Sequence, residues 1–128
     1  YFASLHGENV VPSVETDATG WFVGRISADR TAFSWQLVGT AVNQATDAHV
    51  HLGDAGENGN IIYPLWFTES LPFSGSGQIW SGKVYEDELP EGVTIDLLLS
   101  LFNDFGVYID VHTTGHPDGE IRGQLNQG

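Results

Sequence analysis

The chain has 128 residues, a formal net charge of −13 from 4 basic and 17 acidic residues, and no cysteine. This composition excludes nucleic-acid binding through phosphates, which requires clustered Lys and Arg, and it excludes disulfides and thiolate chemistry. No apolar run reaches the ~20 residues of a membrane-spanning helix, so membrane insertion is not expected. A chain of this length is expected to form a single domain over residues 1–128.

Short segments of alternating aromatic and β-branched residues, separated by glycines, predict an all-β protein built as an antiparallel sandwich or barrel. About eight strands are predicted, covering residues 2–5, 20–26, 33–37, 47–52, 60–67, 78–85, 106–112 and 120–125. Pro64 breaks the fifth of these strands or places it at an edge. One segment has helical spacing instead, and it predicts a short helix near 94–103 with Thr94 as its N-cap.

Three of the five histidines lie on two predicted strands. His49 and His51 form a His-x-His pair, so both imidazoles project from the same face of the strand, ~6.5 Å apart. With His112 from a neighbouring strand they could bind one metal ion. Imidazole ligands suit copper or zinc, whereas magnesium and calcium prefer oxygen.

The residues that alternate with these histidines are apolar, which predicts that the histidines lie on an outer, polar face. Solvated surface histidines are the plain alternative, but three on two strands favour a surface metal site. Asp47, Tyr108 and Asp110 are candidates to orient a ligand ring. His116 lies in a turn sequence, where it is either a fourth ligand or a turn cap, and His6 is a more remote candidate.

Two other features have a functional and a plain interpretation. The loop at 53–60 is rich in oxygen ligands but lacks the spacing of a calcium-binding EF-hand, so an acidic hairpin turn is expected. The four tryptophans could line a sugar-binding face, but their alternation within strands favours packing in the core. They are Trp21, Trp35, Trp66 and Trp80.

Four segments occur in the order found in one known family. They are residues 2–20, Ala-His-Val-His-Leu-Gly at 48–53, Val-Tyr-Ile-Asp-Val-His-Thr at 107–113, and His-Pro-Asp-Gly-Glu-Ile-Arg-Gly-Gln-Leu at 116–125. These segments resemble the CHRD domain, the module named after chordin. The resemblance implies an extracellular or secreted domain, including the cell surface or periplasm, and names no reaction. The segments that carry the resemblance contain His49, His51, His112 and His116. At the position of Asp110 the family usually has Asn.

A fainter resemblance is to copper-zinc superoxide dismutase, a Greek-key barrel with a His-x-His pair on one strand and a later copper-binding histidine. It implies a Greek-key topology, with His49, His51 and His112 as copper ligands and Arg122 as that family's active-site arginine. The zinc-binding loop of that enzyme is absent here, so any shared site would hold copper alone. The plain interpretation of Arg122 is an ion pair with Glu120 on the same strand face.

These observations predict a secreted CHRD-type β domain that binds one copper or zinc ion through His49, His51, His112 and His116. The first alternative is a structural or adhesive subunit of an extracellular assembly or filament, polymerised through edge strands, in which the metal ion could link subunits. The second is a copper-only, superoxide-dismutase-like enzyme. The net charge of −13 opposes the approach of an anionic substrate, so a binding role is favoured over an enzymatic one.

Overall fold

The computed structural model describes residues 1–66 and 72–127, with the backbone alone for Trp66, Gln78 and Ile79. It confirms an all-β fold with one short helix. The described strands are β1 Phe2–His6, β2 Thr19–Ile26, β3 Ala32–Leu52, β4 Ile61–Trp66, β5 Phe73–Tyr85, β6 Val107–Thr113 and β7 Ile121–Gln124. Helix α1 covers Ile95–Asp104, and short 3₁₀ turns lie at Gly7–Asn9 and Glu86–Glu88.

Strand β3 connects the two halves of the barrel. Its first half pairs with β2 and β5, and its second half pairs with β6 and β4, all antiparallel. Strand β1 pairs with β2 on one side and β7 on the other, and β7 pairs with β6. The pairing therefore runs in a closed ring from β1 through β2, β3, β6 and β7 back to β1, and it joins strands that are distant in sequence.

The third and fourth predicted strands are in fact one continuous strand, β3. The pairing of β3 with β5 shifts register between Gly39 and Val42 and again between Val42 and Ala45. Ala41 and Gln44 have φ angles of 54° and 58° in this stretch. Such irregularities bend a strand without ending it, so β3 passes from one side of the barrel to the other. The sequence between the two predicted strands therefore marks a bend, where a break was expected.

The apolar core fills the barrel, and α1 closes one end of it. The predicted N-cap is present, because the Thr94 hydroxyl accepts a hydrogen bond from the Leu97 amide at 3.0 Å. Ile95 and Leu98 on the inner face of α1 are fully buried. The end of the predicted fifth strand, at residue 67, lies outside the described residues.

The pairing of β3 with β6 sets the position of the histidines. His49 pairs with Asp110 and His51 pairs with Tyr108, with Asp47 opposite His112. The intervening residues are completely buried in the core, with 0% exposure; they are Ala48, Val50, Ile109 and Val111. All the paired polar side chains therefore lie together on the face of β3 and β6 that points away from the core.

Candidate metal centre

Four side chains converge on the outer face of β3 and β6. His49, His51, Asp110 and His112 each offer one donor atom, and these atoms all lie within 4.8 Å of one another. The register of β3 and β6 produces this grouping, because it places the His-x-His pair against Asp110 and His112. The three histidines predicted from strand phase are thus brought together.

Asp110 lies at the centre of this cluster. One carboxylate oxygen, Oδ1, is 3.1 Å from His51 Nε2 and 3.7 Å from His49 Nδ1. The other oxygen, Oδ2, is 2.8 Å from His112 Nε2. The sequence pattern predicts that Asp110 orients a ligand ring from outside the site, but its carboxylate lies among the imidazoles as a potential ligand.

Two histidines are held by backbone carbonyls through the nitrogen that faces away from the cluster. His51 Nδ1 lies 2.9 Å from the carbonyl oxygen of Gly59, and His112 Nδ1 lies 2.7 Å from that of Pro117. A carbonyl oxygen can only accept, so each Nδ1 carries the proton and donates it. In the neutral imidazole each Nε2 is then free to offer its lone pair to the centre of the cluster.

His49 has the opposite orientation. Its Nε2 lies 3.2 Å from Asp47 Oδ2, and its Nδ1 faces the cluster, 3.3 Å from His112 Nε2. Asp47 is thus in contact with a ring that it is predicted to orient. An acceptor on the outer nitrogen of each imidazole is the arrangement that usually accompanies histidine ligation of a metal.

The charges within the cluster shift two pKa values in opposite directions. Burial alone would raise the pKa of Asp110, but the hydrogen bond from His112 and the close contacts with the His49 and His51 imidazoles outweigh it and hold the pKa well below its ordinary value. Burial alone would lower the pKa of His112, but the hydrogen bond and charge of Asp110 raise it to about 9. Without a metal, the cluster is therefore held together by a carboxylate and a protonated imidazole.

The cluster is more buried than strand phase predicts. The side chains of His49 and His112 are 13% exposed, and that of Asp110 is 8% exposed. The expectation of a surface site is therefore wrong in this respect. Segment 53–60 lies against His51 through Gly59, and the turn at 114–119 lies against His112 through Pro117.

Arg122 holds segment 53–60 in place. The guanidinium donates to the carbonyl oxygens of Asp54 and Glu57 at 3.0 and 2.7 Å, and to Asn58 Oδ1 at 3.2 Å. It also lies over the ring of Tyr108, 3.4 Å from the centroid. The segment joins paired strands β3 and β4, as the expected hairpin turn does.

The expected ion pair between Arg122 and Glu120 is wrong. Glu120 instead accepts hydrogen bonds from the hydroxyls of Thr16 and Thr113, at 2.7 and 2.8 Å. Arg122 is only 2% exposed, and its N–H groups donate to segment 53–60. It therefore supports the cluster indirectly, through the segment that contacts His51. Alternation with the core residue Ile121 places Arg122 on the outer face of β7, so its burial and its partners depend on the fold of the loop.

The structure does not bring His116 or His6 into the cluster. The backbone of His116 closes the turn after β6, since its carbonyl accepts from the amides of Thr113 and Gly119 at 3.2 and 3.0 Å. This backbone position agrees with the turn-capping interpretation. His6 lies on β1, where its Nε2 is 2.9 Å from the Ser4 hydroxyl oxygen.

Three imidazole nitrogens and one carboxylate oxygen form a donor set that suits zinc or copper. All four donors come from residues already close together, so binding an ion would require only small movements of side chains. Asp110 is the fourth member of this group of potential donors, and the predicted ligand His116 is not among them.

Comparison with known proteins places the chain in a family. No curated protein and no solved structure matches it significantly. Among the described residues, no helix is long and apolar enough to cross a membrane. The family model for the CHRD domain matches residues 1–125, and domains of this type are typically extracellular. The chain therefore belongs to the CHRD domain family.

Proposed function

We propose that this protein is a secreted metal-binding domain that holds one copper or zinc ion. The ligands are Nδ1 of His49, Nε2 of His51, Nε2 of His112 and the carboxylate of Asp110. The observation that carries the proposal is the convergence of these four donors within 4.8 Å, on a face opposite the core. His116 is left out of the ligand set because its side chain is not among the donors that converge.

The groups around the four donors support this proposal. Each imidazole has an acceptor on its outer nitrogen: Asp47 for His49, Gly59 for His51 and Pro117 for His112. These contacts fix the ring orientation and increase the basicity of the nitrogen that faces the ion. A set of solvated surface histidines would have no reason to share this arrangement.

The ligand set favours tight binding over catalysis. A catalytic zinc or copper site keeps one coordination position open for water or substrate. Here the Asp110 carboxylate contacts all three imidazoles and would fill that position. We therefore infer a role in holding the ion or in stabilising the domain outside the cell, in preference to superoxide chemistry.

Isothermal titration of the metal-free protein with Cu(II) and Zn(II) tests the proposal. We expect one ion per chain, with binding abolished or weakened at least hundredfold in His49→Ala and His112→Ala. The matched controls are His6→Ala and His116→Ala, which remove an imidazole outside the cluster and should leave the affinity unchanged. If all four variants bind like the natural chain, the proposed site is wrong.

A second candidate function, as a subunit of an extracellular assembly, is favoured by strand β5. Among the strands that the structure describes, β5 pairs with β3, and no described strand runs along its other side. A long unpaired edge is a template for strand addition by another chain. In such an assembly the metal centre would stabilise each subunit.

Light scattering over a range of protein concentrations, with and without chelator, tests this second candidate. Growth of the particle mass with concentration would support assembly, and Trp80→Pro on β5 should then prevent it. A monomer at every concentration in both conditions would exclude it and leave the metal-binding proposal unaffected.

A further inference from the structure

Four neighbouring segments of sheet contain none of the chain's 17 acidic residues. These segments are β1, β2, β5 and the first part of β3, from Ala32 to Thr46. Two of the four basic residues, Arg25 and Lys83, lie on β2 and β5. These strands therefore carry two cations and no carboxylate, although the protein as a whole is strongly acidic and Glu86, Asp87 and Glu88 lie close to Lys83 just after β5.

The two basic residues lie on the outer face of this sheet and in line with each other. Arg25 pairs with Ser34 across β2 and β3, and Ser34 pairs with Lys83 across β3 and β5. The neighbours of Ser34 along β3, Phe33 and Trp35, are buried in the core. Because side chains alternate along a strand, Arg25, Ser34 and Lys83 point outward, with the two cations about 10 Å apart at their Cα atoms.

Exposed aromatic and hydrogen-bonding groups lie on the same outer face as these cations. Trp21 is 44% exposed, so the expectation that it packs in the core is wrong, and its ring stacks on that of Phe2 with centroids 5.3 Å apart. Next to Trp21, Val23 is 43% exposed. A groove of about 470 Å³ runs along the same face; it is lined by Val23, Arg25, Ser34, Trp35, Gln36 and Ser81.

The groove suits a narrow ligand. Its volume of about 470 Å³ is in the range of pockets that hold small ligands. A narrow polymer chain that lies along the groove would cover it.

We infer that this face binds a polysaccharide that carries carboxylate groups. The apolar face of a sugar ring would stack on Trp21, and sugar hydroxyls would hydrogen-bond to Ser34 and Gln36. The carboxylates would pair with Arg25 and Lys83, with no acidic side chain on these strands to repel them. At physiological ionic strength the Debye length is about 8 Å, so carboxylates that lie farther than this from Arg25 and Lys83 are largely screened.

Titration of the full chain with polygalacturonate tests this inference, with dextran as the neutral polymer and with EDTA present to prevent cross-linking by divalent ions. We expect binding to polygalacturonate, weakened about tenfold in Arg25→Gln and more in Trp21→Ala. Arg30→Gln is the matched control, because Arg30 is an exposed arginine whose partner is Asp96, away from this face. It should bind like the natural chain, and all variants should retain the natural circular dichroism spectrum.

Several outcomes would overturn the inference. Absence of binding to polygalacturonate would do so, and so would an equal loss in Arg25→Gln and Arg30→Gln, which would indicate unspecific attraction. Equal binding of dextran would contradict the role of the cations, and equal binding of poly-glutamate would contradict recognition of a sugar. A concentration-dependent dimer that Trp21→Ala abolishes would assign this face to contact between copies of the chain.

Discussion

The ring of Tyr108 lies parallel to the imidazole of His51, with 3° between the planes and 4.6 Å between the centroids. The guanidinium of Arg122 covers the ring of Tyr108 at 3.4 Å, so the three groups form a stack. Gly59 closes the unit, because its amide donates to the Tyr108 hydroxyl and its carbonyl accepts from His51. The loop at 53–60 and the proposed ligand His51 are therefore fixed together.

Replacement of Arg122 by Lys is expected to destabilise the protein by about 2–3 kcal/mol, because a lysine cannot satisfy the buried acceptors that the planar guanidinium reaches together. Urea unfolding of the metal-free protein measures this change. Arg30→Lys is the matched control, and it should have no measurable effect because its ion pair with Asp96 is exposed. Equal effects of the two substitutions would contradict the role given to Arg122.

Substitution of Gly59 by Ala is expected to weaken metal binding about tenfold to a hundredfold. A Cβ at this position would collide with the carbonyl group of Leu52, so the loop must move and the Gly59–His51 hydrogen bond must break. Titration with Zn(II) measures the change. Gly115→Ala serves as control, since a Cβ there meets nothing within 4 Å. Unchanged affinity in Gly59→Ala would show that this carbonyl does not position His51.

Asp110→Asn introduces the residue that the family usually has here, and it removes the only carboxylate among the four donors. We expect the protein to fold and to bind Cu(II) or Zn(II) through the three imidazoles, at least tenfold more weakly, because a neutral amide is a poorer ligand than a carboxylate. The electron paramagnetic resonance spectrum of the Cu(II) form should change as well. Natural affinity with an unchanged spectrum would exclude Asp110 as a ligand.

The stability of the metal-free protein is expected to fall at high pH. The pKa of His112 is about 9 in the folded protein, above the 6.5 of an unperturbed histidine. Its contribution is therefore complete below pH 6.5 and is lost as the pH rises through 9, a loss of up to about 3 kcal/mol. The pKa of Asp110 is lowered, so its contribution is present above pH 3.8 and is lost as the pH falls further.

Urea unfolding in EDTA at pH 6 and pH 10 measures the high-pH loss. His112→Gln cannot bind the proton, so its free energy of unfolding should fall much less between the two pH values. The same fall in the variant and in the natural chain would assign the loss to other groups that titrate near pH 10.

Local sequence patterns predict much of this fold and part of the site. Alternation of apolar and polar residues is enough to place His49 and His51 on one face, because the core takes Ala48 and Val50. The helix can also be predicted from the sequence, since Thr94 caps a segment with apolar residues at helical spacing. These features depend on residues that are close together in the chain.

The remaining features depend on contacts between distant segments. Asp110 reaches the centre of the cluster only because β6 pairs with β3 in one register, and a shift by one residue would point it into the core. The burial of His51 depends on Gly59, whose position in turn depends on Arg122. The exposure of Trp21 could not be predicted from the sequence either. Alternation shows which residues share a face of a strand, but it does not show which of the two faces is covered.

X-ray diffraction from crystals of the copper- or zinc-loaded protein, collected at the absorption edge of the metal, tests the metal-binding proposal most directly. We predict one anomalous peak, about 2.0–2.2 Å from His49 Nδ1, His51 Nε2 and His112 Nε2, with a carboxylate oxygen of Asp110 as the fourth ligand. A peak at any other place, or a cluster that keeps its His–Asp hydrogen bonds in the presence of the metal, would contradict the proposal.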